Sequence, residues 1–424
     1  MIPIDIRSLD HAGARLFDRS SRLVGWGSGS VFDYFQGSHP IRLDYLVDND
    51  LDRWGTRRRG MEIVSPARLR DEDPAQTFVI IYSSAWPEIQ KQIRTLGGAA
   101  SLPASALFVD ASVRENLVRA DALARRPLTG RSPRPDNAIV VQGPVLAGVT
   151  PHVLRVLTAL HPDNLVVLST WDDTDPQLLA EVGAIADDVV ISCRPRHGGI
   201  QNRNYQIVST RAGIDRAIAH GARTIVKTRT DLAVLAPSLF EQARWWLEMM
   251  DSLAARGMGL DNRLLIPSSF TRKFLLYHPS DLVMLGAADD MRRYWAAPLD
   301  GREGERLSSE WIDRPLSTTN MSGHPAESYL GLQFCRTLAR PALGTIQDSW
   351  NFYRDLFAVV DNSWFDLLWF KNLSIPDMAL RRGVRQMVTQ SFWQRLYAGD
   401  PTVETERAEI DPDHTTLRAL AGAV

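Results

Sequence analysis

Cysteine is nearly absent from this 424-residue chain. Cys193 and Cys335 are the only two, far apart and in no C-x-x-C pair. That argues against a disulfide framework and for a reducing compartment. Charge of one sign is lacking as well. The 48 Lys and Arg nearly balance the 50 Asp and Glu, leaving a formal net charge of −2 and no electrostatic footprint for nucleic acid. No uninterrupted apolar run reaches membrane-spanning length. At the N-terminus, MIPIDIRSLDHAGARLF sets Asp5, Arg7 and Asp10 where a signal peptide would need an apolar run. The expectation is a soluble, cytoplasmic protein of two or three domains, each large enough to bury a core.

What is present begins with glycine. Leu23-Val24 leads into Gly25-Trp26-Gly27-Ser28-Gly29-Ser30 and the start of a helix. A second strand, Arg42 to Val47, ends on Asp48, and a third, Phe78 to Tyr82, closes in Ser83-Ser84. Strand, glycine loop, helix, strand and acid, in that order, open a Rossmann-like unit. The glycines let backbone approach a phosphate, and the helix N-terminus favours its charge. Gly25, Gly27, Gly29 and Asp48 are therefore candidate cofactor contacts. The spacing is G-x-G-x-G, short of the full dinucleotide pattern, so a scaffold turn stays open as the alternative. Residues 1–112 read as this module and 113–136 as a helix followed by a Pro/Arg linker. Residues 137–400 read as a second domain and 401–424 as an acidic tail.

The second domain alternates strands and helices, which implies a parallel sheet. Its strand tips are polar or carry glycine: Gln142-Gly143, Ser169-Thr170 and Arg229-x-Asp231. Such tips gather along the edge where ligands bind in sheets of this kind. Arg196 to Asp231 is the most informative stretch. It holds a glycine-containing loop, a helix from about Asn202 to Ala219 with Ile207, Ile214 and Ile218 at core spacing, and a strand from Thr224 to Thr230. With period two, Lys227, Arg229 and Asp231 share one side of that strand. A self-satisfied Arg229–Asp231 ion pair is the plain alternative to a ligand site.

The segments Val141-Gln142-Gly143-Pro144, Ser169-Thr170-Trp171, Asn202-x-Asn204-x-Gln206-x-x-Ser209-Thr210 and Lys227 to Asp231 resemble the WavE lipopolysaccharide-synthesis family. His278-Pro279-Ser280-Asp281, Asp289-Asp290-Met291 and Ala326 to Leu330 follow in the same order. The resemblance runs from about Asn137 to Tyr353. Tyr205 departs from it, standing where an Arg is expected before Gln206. The resemblance implies an α/β protein in which a nucleotide-diphospho-sugar (GT-A-like) glycosyltransferase domain follows the Rossmann-like module.

Such an enzyme would take a nucleotide sugar as donor and a glycan or lipid-linked acceptor. Gln142, Gly143 and Thr170 are then candidates for the nucleoside; Asn202, Asn204 and Gln206 for sugar hydroxyls; Lys227 and Arg229 for the diphosphate. Asp231 is the candidate ligand of a divalent cation, Mg²⁺ or Mn²⁺. Glu327 is the candidate general base, with Asp281 in reserve. Helix capping is the competing role for Asn202, for Asp289 and Asp290, and for Glu327. Glu241 to Met258 reads as one Trp/Met-rich core helix. Trp350 to Tyr397 mixes aromatic and basic residues, which suits either peripheral contact with the inner face of the plasma membrane or a packed helical layer. Two other functions stay open: an NAD(P)- or adenosine-cofactor enzyme working from the first glycine loop, and a non-catalytic nucleotide-binding partner.

Overall fold

The computed structural model describes residues 22–38, 40–83, 85–107, 111–129, 131–250, 252–301, 325–371, 373 and 387–403. The N-terminal signal reading, the acidic tail beyond residue 403, and Arg381, Arg382 and Arg385 lie outside these residues. The chain forms two compact units, divided between Val118 and Arg119, with Trp369–Ile375 grouped with the first.

The first unit is built on β1 (Arg22–Trp26), α1 (Ser30–Ser38), β2 (Tyr45–Val47), β3 (Arg57–Arg58), β4 (Met61–Val64), β5 (Thr77–Ile81), α2 (Trp86–Thr95) and β6 (Ala100–Pro103). The sheet order is β3-β4-β2-β1-β5-β6, parallel except for the β3–β4 hairpin. Val24, Leu46, Val79 and Ile80 are wholly buried. Continuous apolar strands of this kind are what a parallel sheet covered on both faces requires. A short helix α3 (Ala104–Leu107) precedes α4 (Ala111–Ala124), within which the division into units falls.

In the second unit β7 (Arg134–Gln142), α5 (Thr150–Leu160), β8 (Asn164–Trp171), α6 (Pro176–Gly183), β9 (Asp188–Ser192), α7 (Arg203–Ala219) and β10 (Thr224–Arg229) follow one another. Then come β11 (Leu232–Val234), α8 (Leu239–Met249), α9 (Leu253–Gly257), β12 (Leu264–Pro267), β13 (Met284–Ala287) and α10 (Ala288–Tyr294). Beyond residue 325 lie α11 (Ala326–Thr337), α12 (Ile346–Leu356), β14 (Phe357–Val360) and α13 (Gln390–Ala398). The large sheet is ordered β14-β12-β13-β10-β7-β8-β9. Alternation predicts parallel strands, and all are parallel except β13, which is antiparallel to β10 and β12. The reason is local. Residues 268–283, which join β12 to β13, contain no helix to carry a parallel crossover.

From β7 the chain adds β8 and β9 on one side, and α7 then returns it to place β10 on the other. The β7/β10 border is therefore a topological switch point. Helix α7 packs on β7 and β8 with Ile207, Ile214 and Ala217 buried, while Ile218, expected on the same core face, is only half-buried. Gly221, at φ +99°, ends the turn beyond it. The Trp/Met-rich helix is broken into α8 and α9. Trp246 and Leu247 are buried, but Trp245 and Met249 are more than half exposed, so only one face of that segment is core.

The aromatic C-terminal segment is mostly a packed layer. Trp350, Phe352, Tyr353, Phe357, Phe365, Phe370, Phe392 and Trp393 are buried, and Trp350 meets Phe392 edge-on at 5.1 Å. Rings spent on one another are withdrawn from any lipid surface.

The buried stripe of α7 is directly testable. Ile214→Ala is expected to cost about 2–5 kcal/mol in denaturant unfolding. The same change at exposed Asp215 should stay within about 0.5 kcal/mol.

Candidate functional site

The carboxyl ends of β7 and β10 are stitched together by backbone. Arg229 sits in register with Gln142. The Thr230 amide donates to the Gln142 carbonyl at 3.1 Å, and the Thr150 hydroxyl donates to the Thr230 carbonyl at 3.1 Å. Gly143 follows at φ +127°, and a Cβ there would stand 3.0 Å from Thr230 Oγ1. A side chain at Gly143 is therefore doubly disfavoured. From α7, the Ser209 hydroxyl donates to Gln142 Oε1 at 2.7 Å. Thr170, at the end of β8, is buried and lies 3.3 Å from the Thr174 hydroxyl.

Charge is concentrated at the end of β10. Arg229 and Asp231 form a two-pronged ion pair, Nε to Oδ1 at 2.8 Å and Nη2 to Oδ2 at 3.0 Å. Burial opposes the guanidinium's charge, but Asp231 more than offsets it and raises its pKa. Lys227 is wholly buried. Its ammonium donates to the Asp281 carbonyl and lies 5.0 Å from the centre of the Trp295 ring. Burial pulls its pKa down to about 8, against the attraction of Asp281, Asp231 and Glu327.

Glu327, in the first turn of α11, faces this cluster. Burial, with Asp281 adding, raises its pKa to about 7, while Arg272 and Arg203 work against the rise. Its Oε2 is 3.5 Å from His278 Nε2. Asp281 is buried, and its Oδ2 has no hydrogen-bond partner among the described residues. Arg272 lies over the Phe270 ring, 5.6 Å from its centre. Burial lowers its pKa and Glu327 resists that. The fold thus gathers Lys227, Arg229, Asp231, Asp281 and Glu327 into one electrostatic neighbourhood.

The start of α7 serves the same neighbourhood differently. Gln201 and Asn202 are both left-handed, at φ 53° and 61°, and Asn202 makes no side-chain cap. Gln201 Oε1 accepts the Ala326 amide at 3.0 Å, capping the helix that carries Glu327. Glu327's carboxylate takes up its own amide in the same turn, which opposes part of the rise in its pKa. Asn204 clamps backbone: its amide group donates to the Asp300 carbonyl at 2.9 Å and the His197 carbonyl at 3.2 Å, and its oxygen accepts the Asp300 amide at 2.7 Å. Gln206 Oε1 is buried with no partner among the described residues. Tyr205 stands edge-on to Trp171 at 5.8 Å, with Arg194 over both rings.

Residues 138–339 match the family model described as WavE lipopolysaccharide synthesis. The chain carries a WavE-family domain. No curated protein matches the chain. All the residues of this cluster fall within the WavE domain.

Asp231 gives both carboxylate oxygens to Arg229, and among the described residues no three His, Cys, Asp or Glu gather as metal ligands. These side chains do not fit a cation held by protein alone. Asp290 is not a cap of its own helix either. It is buried and accepts the Asp261 and Asn262 amides at 3.0 Å, while exposed Asp289 pairs with Arg292. His278, Arg272, Arg203 and Gln201 are the WavE-domain residues that sequence reasoning did not assign. His278 lay in view, three positions before Asp281.

In the first unit, Asp48 is spent on its own loop. Its Oδ2 accepts the Ser28 amide at 2.8 Å and the Ser28 hydroxyl at 2.6 Å, and its Oδ1 accepts the Asp50 amide. A Cβ on Gly27 would lie 2.7 Å from the Tyr82 carbonyl oxygen, and one on Gly25 would meet Leu46 at 2.5 Å. Packing therefore accounts for these two glycines. Gly29 has only the Arg53 side chain near it, at 3.7 Å.

The raised carboxyl of Glu327 has a pH signature. Its ordinary value is 4.5 and its folded value about 7, so the folded protein binds a proton there that the unfolded chain has lost. The corresponding stability is full below 4.5 and disappears as the pH climbs towards 7. Glu327→Gln removes this dependence. The variant should gain about 1–3 kcal/mol relative to wild type between pH 5 and pH 8 in urea unfolding. An identical difference at both pH values would contradict the assignment.

Proposed function

We propose that the WavE domain is a glycosyltransferase with a nucleotide-diphospho-sugar, GT-A-like fold. It moves a sugar from a nucleotide-sugar donor to a glycan or lipid-linked acceptor in lipopolysaccharide or capsule-type surface polysaccharide synthesis. One observation carries the reading. At the switch point of an α/β sheet, three sequestered cations, Lys227, Arg229 and Arg272, face a carboxyl held at about 7. The first feature suits a departing diphosphate, and the second suits a base working near neutral pH.

In this reading the acceptor hydroxyl attacks the anomeric carbon as the bond to the diphosphate oxygen breaks. The hydroxyl proton passes to Glu327. Arg272 takes up the negative charge left on the diphosphate, and Arg229 and Lys227 contribute through the field of the cluster. Gln142, Gly143 and Thr170 border the nucleoside, while Asn202 and Gln206 are the sugar-side contacts. Asn204 and Asp281 act by holding backbone and by setting the charge around Glu327. The match to the WavE family model supports a place in lipopolysaccharide synthesis, and the topological switch point at the β7/β10 border supports a nucleotide ligand at the strands' carboxyl ends.

The test is a panel of nucleotide sugars, with and without Mn²⁺, read by thermal stabilisation and by turnover. A donor at one hundred times its Kd should add about 2.7 kcal/mol of stability. Glu327→Ala should keep donor binding and lose about 10²–10⁴-fold in turnover. Arg272→Met should weaken donor binding about tenfold or more. Stabilisation by NAD(P) or S-adenosylmethionine alone, with Glu327→Ala unaffected, would contradict the reading.

A further inference from the structure

Resting on Glu327 as the proton-accepting carboxyl, we propose that His278 is its positioning residue. The neutral imidazole, locked as the Nδ1–H tautomer, presents an Nε2 lone pair that holds a proton on Glu327 Oε2.

The geometry fixes the tautomer. His278 Nδ1 is 3.0 Å from the Phe270 carbonyl oxygen. A carbonyl oxygen can only accept, so Nδ1 carries the hydrogen. The ring is held at its base too, because the His278 amide donates to Tyr353 Oη at 2.8 Å and that hydroxyl donates to the Arg272 carbonyl at 2.9 Å. Phe270 and Tyr277 are both left-handed, at φ 65° and 51°, a conformation that bulky residues rarely adopt and that here turns one carbonyl toward the ring. Burial and the neighbouring Arg272 push the imidazole's pKa down to about 3, so the ring is neutral across the working range.

Nε2 is then a lone pair 3.5 Å from Oε2. It repels a carboxylate oxygen and accepts from a carboxyl O–H, so the pair favours the protonated acid. The other groups acting on Glu327 come from several elements. Asp281 and Arg272 belong to the 268–283 segment, and Arg203 stands at the start of α7. Lys227 and Arg229 on β10 and Tyr294 on α10 also feel its charge. His278 thereby sets the pH at which Glu327 becomes a base. It also directs the proton of the transfer step: after Glu327 has released its resting proton to water, the acceptor O–H bond breaks and an Oε2–H bond forms as the acceptor oxygen bonds the anomeric carbon and the bond to the diphosphate breaks, and Nε2 receives the hydrogen bond without taking the proton.

The full-length protein with ¹³C-labelled glutamate side chains is titrated by NMR, and the Glu327 resonance is identified by its loss in Glu327→Gln. His278→Asn keeps a donor near the Nδ1 position and removes the acceptor. It should lower the Glu327 midpoint by about one pH unit, tenfold in ionisation. His278→Gln, whose amide oxygen can stand near Nε2, should leave the midpoint close to wild type. On wild-type protein, which carries no folding risk, ¹⁵N-histidine spectra should show His278 neutral with hydrogen on Nδ1 from pH 5 to 8. A hydrogen on Nε2, or a midpoint unmoved in His278→Asn, overturns the proposal and leaves the transferase reading standing. Shifted midpoints in a protein that turns over no nucleotide sugar would support the proton placement and remove the transferase.

Discussion

The second unit depends on how buried charge is accommodated at the end of β10. This strand has β7 on one side and β13 on the other, and Ile225, Val226, Lys227 and Thr228 are all buried. An unpaired ionised group in such a place costs several kcal/mol. The fold answers each charge with a partner: Asp231, two residues on, for Arg229, and the more distant Asp281 carbonyl and Trp295 ring for Lys227. The charged strand thus organises the neighbourhood as much as it occupies it.

Backbone strain is present in the same neighbourhood. Gln201, Asn202, Phe270 and Tyr277 are non-glycine residues in the left-handed region, at about 1–3 kcal/mol each. Gln201 caps the helix bearing Glu327, the Phe270 carbonyl fixes the His278 ring, and the Tyr277 amide is tied to Ser349 Oγ at 2.8 Å. Arg59, Ala339 and Asp366 are left-handed as well, outside this cluster, so strain is shared between the site and ordinary turns. Asn204, wholly committed to the backbone at Asp300 and His197, stabilises the segment entering this region.

Much of this could be read from sequence because it is local. Helical spacing marked α7, period two marked β10, and Lys-x-Arg-x-Asp marked an unusual strand end. The Arg229–Asp231 pair, posed as the plain alternative, forms. Long-range geometry was not legible. Asn202 has the chemistry of a cap, but the turn after Gly199 sets it left-handed and leaves capping undone. Asp290 reads as a helix-end acid, yet it binds amides 28 and 29 residues away. The reversal of β13 depends on a connection without a helix. The role of His278 depends on a single carbonyl, which no side-chain pattern reports. In the first unit, the glycine loop was visible, but its use of Asp48 as an internal anchor was not.

The most direct measurement is a crystal structure of the full chain with a nucleoside diphosphate bound. The account predicts the diphosphate at the carboxyl ends of β7 and β10, between Gly143 and Asp231, within hydrogen-bonding reach of Arg272. A nucleotide seated instead at the Gly25–Gly29 loop, with the β7/β10 border empty, would contradict it.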